Sequence, residues 1–124
     1  MNNEKKGLKD TEKEDETSVL TEGSGVFVLK KAIDVNGEKV SSLKYNFDAM
    51  TARDKQKATL AYKKSGNGMG MQEFDPDYHL YIFASAVAKE NESIDINDLL
   101  RMSAKDAVKA GNLVRDFFFL NSEE

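Results

Sequence analysis

The 124-residue chain has no cysteine, which excludes a disulfide framework and every thiolate metal site and fits a reducing cytoplasm. It has one histidine, His79, and no spacing around it suggests the nucleophile and orienting group that a histidine base needs. Asp75 stands four residues before His79, but two ligands do not close a metal site. No catalytic residue, metal or cofactor is expected. Long apolar runs are also missing. The most extended, Leu80 to Ala88, is too short to cross a bilayer, and no apolar segment follows Lys5 and Lys6 as a secretory signal would require. The expectation is a soluble protein without a membrane partner.

Excess charge is scarce where a domain would form. Residues 1–22 hold four lysines against seven acidic side chains, a net −3 of the chain's −4, which leaves −1 for residues 23–124. With only Leu8, Val19 and Leu20 as larger apolar residues after Met1, residues 1–22 read as a disordered charged tail. Residues 23–124 are enough for one domain and too few for two sizeable cores. Bulk charge gives no case for nucleic acid.

The Asn36-Gly37 dipeptide supplies two positive φ angles between Val26–Val35 and Glu38–Phe47, predicting a hairpin. A tight turn would place Val26 and Val28 beside Phe47 and Tyr45 on one face, with Phe27, Leu29, Ile33 and Val40 on the other. A bulge would shift that register, and Lys30-Lys31 hints at an irregular first strand. Four helix starts follow. Thr51, with Asp54 at N3, opens a lysine-rich helix to Ser65 with Ala58, Ala61 and Tyr62 on its apolar side. Gly66 to Gly70 ends it in a loop reaching Phe74. Asp75-Pro76-Asp77 starts a broadly apolar central helix to about Glu90. Asp95 with Asp98 opens a short helix to about Arg101, and Ser103 with Asp106 repeats the device before a last helix through Val114 and Phe117 to Leu120. The fold class is α+β: an N-terminal β-hairpin packed on a bundle of about four helices.

Several motifs fail as binding sites. The glycine loop follows a lysine-rich helix and no Gly-Lys-Ser or Gly-Lys-Thr sequence occurs, unlike a phosphate cradle. Asp95 to Asp106 has Leu100 where a calcium loop needs glycine. Residues 53–64 carry a local +4 through Arg53, Lys55, Lys57, Lys63 and Lys64, the basis of a nucleic-acid reading, although no reader motif accompanies them. The run Phe117-Phe118-Phe119-Leu120 sweeps about 300° of helix, so these side chains cannot all face one neighbour. Two readings are open: a terminal helix sunk into the core with Phe119 partly covered by the hairpin, or an exposed aromatic anchor for a protein partner. From aromatic placement alone, the contact candidates are Tyr78, Tyr81, Phe117, Phe118 and Phe119.

The strand-to-helix segment Phe47-Asp48-Ala49-Met50-Thr51-Ala52-Arg53-Asp54, the central apolar helix, and Asp98-Leu99-Leu100-Arg101-Met102-Ser103-Ala104-Lys105-Asp106 before a Phe-rich end resemble phage tail assembly chaperones. The likeness is to the small tail assembly proteins of contractile-tailed phages and related prophage elements, and it spans roughly Val26 to Leu120. It implies a non-catalytic protein of the host cell cytoplasm that binds the tape-measure protein before tail-tube subunits polymerise around it. Further implied are possible self-association, possible contact with the tail-tube protein, and often a longer frameshifted product. A structural tail or head-tail adaptor is the alternative, and a nucleic-acid-binding regulator the third reading.

Overall fold

The computed structural model describes residues 22–68 and 70–120. Most of the predicted charged tail, residues 1–21, lies outside them, as do residues 121–124. The described elements are β1 (Ser24–Val35), β2 (Glu38–Asn46), α1 (Ala52–Lys64), a 3₁₀ turn (Gln72–Phe74), α2 (Pro76–Ala88), α3 (Ile96–Leu99), α4 (Ala104–Arg115) and a π turn (Asp116–Leu120). They form the expected α+β arrangement, an antiparallel hairpin followed by helices. The glycine connection is shorter than predicted, because Gln72–Phe74 is already a helical turn.

Asn36 and Gly37 both have positive φ, 51° and 86°, as a twist-matched two-residue turn requires. Alanine at position 37 would carry its Cβ into that strained region. Gly37→Ala is therefore expected to cost about 1 kcal/mol in denaturant unfolding.

Next to the turn the pairs are Val35 with Glu38 and Ile33 with Val40, but farther out Val28 faces Ser42 and Phe27 faces Leu43. Four residues of β1, Leu29 to Ala32, thus stand opposite Ser41 alone. The three extra residues are an odd number, so the side-chain alternation of β2 reverses relative to β1. This corrects the predicted faces. Tyr45 and Phe47 join Leu43, Phe27 and Leu29 in the core, while Val26 and Val28 are left outside, 57% and 72% exposed. Lys30-Lys31 does mark the irregularity.

A bulge leaves backbone N–H groups without a strand partner. Here Asp106 on α4 supplies one. Its side chain is fully buried, and its two oxygens accept from Lys30 N at 3.0 and 2.9 Å and from Lys31 N at 3.2 Å. Burial pushes the Asp106 carboxyl up, but those two N–H groups, the Ser103 hydroxyl and the Lys109 charge outweigh it and hold the carboxyl below its ordinary value. Ser103 caps α4 as predicted, accepting from Asp106 N at 3.1 Å. The reciprocal half of that predicted box is absent, because the carboxylate turns to the hairpin instead.

The other caps fall where the sequence places them. Thr51 with Asp54 and Asp95 with Asp98 close full capping boxes, and Asp75 accepts from Asp77 N and Tyr78 N. The staple pair Ile94 and Leu99 is buried beneath α3. Arg101 joins α3 to the hairpin, donating to Asp34 O at 2.6 Å and to Asp98 Oδ1 at 2.7 Å.

α2 occupies the centre, with eight of its thirteen residues buried, because its apolar surface is wider than one stripe. Phe83 is fully buried against Phe27, Tyr45 and Phe47, with ring centroids 5.3, 5.5 and 6.3 Å away. Such ring pairs contribute about 0.5–1.5 kcal/mol each beyond their buried area.

Lys89 at the end of α2 meets Asp54 of α1 at 2.8 Å. The Lys89 hydrogen bond, then the Thr51 amide, hold Asp54 at about 2. The unfolded chain takes up this proton more readily, so the stabilisation is complete above the ordinary value of 3.8 and drains away as pH falls towards about 2. Asp54→Asn should flatten the acid limb of an unfolding-versus-pH profile in that window and leave its neutral shape unaltered.

Candidate partner-binding surface

The carboxyl-terminal aromatic run forms a π turn instead of the predicted α-helical continuation. A π turn closes on the fifth residue and rotates less per residue than an α-helix, so consecutive rings diverge less. Phe117 stacks on Phe47 with centroids 5.1 Å apart, and Phe118 meets the same ring edge-on at 5.4 Å. Phe119 lies instead over His79, at 5.2 Å and 25° between planes. The predicted cover for Phe119 is thereby corrected: α2, through His79, supplies it, while the end of the hairpin receives Phe117 and Phe118.

The run is neither wholly sunk nor wholly free. Phe117 and Phe119 are half-buried, whereas Phe118 is 38% and Leu120 54% exposed. Phe118 and Phe119 open onto a groove of about 280 Å³ whose apolar lining is completed by Met50, Ala52 and Ile82, with Lys55 at its edge. Met50 and Ala52 flank the Thr51 cap, and Ile82 comes from the buried side of α2.

Two candidates do not belong to this groove. Tyr78 is fully enclosed, its hydroxyl 2.8 Å from Thr59 Oγ1, and this corrects its assignment as a contact residue. Its place one turn into the most buried helix explains the enclosure. Tyr81 is half-buried, edge-on to Tyr62 at 5.2 Å, and lines a separate shallow depression with Ala61, Ser85 and Ala88. Half-buried Met50 and buried Ile82 were missed as lining residues, since nothing local in the chain shows that the start of α1 and the middle of α2 meet beside residue 118.

The polar groups nearby are engaged in structure. Burial, then the Asp75 carboxylate that accepts the Tyr62 hydroxyl at 2.9 Å, pushes the Tyr62 phenol up to about 12. His79 is buried, and its Nε2 donates to Gln72 O at 2.7 Å. Burial pulls its pKa down, the Arg115 charge adds to that, and the Gln72 bond and Asp75 oppose it. Among the described residues no cluster of three or more histidine or carboxylate side chains could hold a metal ion, and no helix is long and apolar enough to cross a membrane. Compared with known proteins, the chain matches no family model, no curated protein and no solved structure.

Proposed function

We propose that the chain is a non-catalytic phage tail assembly chaperone of the host cell cytoplasm, which covers apolar seams of the tape-measure protein until tail-tube subunits displace it. One observation carries this reading: Phe118 remains 38% exposed and lines a groove together with Met50, Ala52, Ile82 and Phe119. A groove of that kind takes side chains projecting from one face of an amphipathic helix. Aromatic anchors at its rim contribute disproportionately to such binding. The sequence resemblance supplies the identity of the helix, and the groove supplies the means of holding it.

The test is co-expression with the tape-measure protein encoded in the same gene cluster. The expected result is a soluble tape-measure protein that co-purifies with this chain. A tape-measure protein that stays insoluble with this chain but is solubilised by a control chaperone would overturn the reading. Recovery of the chain from washed mature particles would instead indicate a structural tail component using the same surface permanently.

A further inference from the structure

On the other side of the Phe119–His79 stack, between the start of α2 and the last turns of α4, lies a second cavity of about 260 Å³. Its walls are Phe74, Pro76 and Val108, and Gly111 leaves room between the helices. Arg115 projects into its lining, with the guanidinium carbon 5.7 Å from the Phe74 ring centroid. Arg115 Nε is buried and, among the described residues, has no hydrogen-bond partner. A buried N–H left unpaired costs free energy that a bound acceptor would recover. The other lining groups do not satisfy it. His79 has its Nε2 proton committed to Gln72 O, and no acidic side chain lines the cavity.

We infer that this cavity binds a carboxylate carried on a short apolar stem. Arg115 would hold both oxygens side-on through Nε–H and one Nη–H, the planar fork for which guanidinium suits carboxylates. The stem would lie against Phe74, Pro76 and Val108. One cation among mainly apolar walls, with the Asn112 amide as the one further side-chain donor because His79 is engaged with Gln72 O, fits a singly charged head with a hydrocarbon neighbour better than a phosphate, which draws several cationic or amide donors. A glutamate side chain of a partner and a free small organic acid share this chemistry. The cavity is distinct from the apolar groove, so it can hold its ligand even if the tape-measure reading fails.

The test uses the isotope-labelled full chain, titrated separately with propionate, with propionamide, and with a blocked tripeptide of leucine, glutamate and leucine. His79 is the sole histidine, so its ring resonances report on this cavity without assignment ambiguity, and the Arg115 Nε–H resonance reports on the contact. Saturable shifts are expected with propionate, the tripeptide or both, and none with propionamide. Propionate alone would identify a free acid as the source, and the tripeptide alone a protein side chain. Arg115→Lys should weaken binding about tenfold, because a lysine keeps the charge and loses the fork. Gly111→Ala is the second variant. Its methyl would sit 3.7 Å from Pro76 O and 3.9 Å from the His79 Cβ, an ordinary contact that narrows the cavity without unfolding the helix, so binding should again weaken. Shifts that never saturate, that are equal for propionate and propionamide, or that persist unchanged in both variants would overturn the proposal.

Discussion

Replacing Asp106 by alanine should destabilise the domain by about 3 kcal/mol, because two backbone N–H groups in the bulge lose a charged acceptor, each such bond contributing about 1.5–3 kcal/mol before partial rehydration. For a domain of this size that corresponds to a fall in Tm of roughly 15 °C. Asp106→Asn should cost less, since one carbonyl oxygen remains, and Ser103→Ala only about 1 kcal/mol for a lost cap. The bulge gives the substitution a local signature as well. Lys30 and Lys31 amides, bonded to Asp106 at 2.9 to 3.2 Å, should exchange with solvent much faster in the alanine variant, whereas amides on the turn side of the bulge should change less. The carboxyl is held below its ordinary value in the fold, so its contribution is complete above that value and is lost as pH falls through the depressed one. Chevron or equilibrium denaturation at neutral pH and again near pH 3 would read both effects. A loss under about 0.5 kcal/mol, with amide exchange unaltered, would show that α4 does not anchor the hairpin through this group.

Phe118→Asp should reduce affinity for a tape-measure segment by about a hundredfold, as expected when a central aromatic anchor contributing around 2–4 kcal/mol is replaced by a charge. The domain itself should lose only about 1–2 kcal/mol, because the ring is already 38% exposed and its buried contacts are with Phe47 and Phe117. Separation of the two effects is the point of the substitution. Phe117→Asp would confound them, since that ring stacks directly on the fully enclosed Phe47. Tyr81→Ala is the matching control: Tyr81 opens onto a different depression, and its removal should leave binding within a few-fold of wild type. Isothermal titration with a synthetic segment, beside thermal unfolding of each variant, would measure both quantities.

What the chain made legible was whatever a few neighbouring residues decide. Asn36-Gly37 specifies its turn because both residues tolerate positive φ, and Thr51, Asp75, Asp95 and Ser103 start helices because a side-chain oxygen reaches an N–H two or three positions on. That the four large side chains of residues 117–120 could not all face one neighbour was legible from their succession, but which of them stay exposed was left open, and the α-helical spacing assumed for them gives way to a π turn. The failures that bear on the hairpin and the groove involve distant partners. Asp106 has the spacing of a capping-box residue, and only the bulge 75 residues earlier draws its carboxylate away. The register of β2 was hidden for the same reason, since a bulge stabilised by another helix leaves no local mark beyond two adjacent lysines. Tyr78 was a contact candidate from aromatic placement alone, but α1 covers it through Thr59 and Tyr62. The groove beside Phe118 needs Met50 and Ile82 to meet a turn that the sequence places tens of residues away.

The central claim is that the apolar side chains left outside at the end of the chain hold a helical segment of the tape-measure protein. It is tested most directly by titrating the isotope-labelled protein with overlapping synthetic segments of that protein and mapping the resonances that move. At least one segment should bind saturably, with shifts centred on Met50, Ala52, Ile82, Phe118 and Phe119. If no segment binds, or if bound segments move only residues remote from that groove, the account is contradicted.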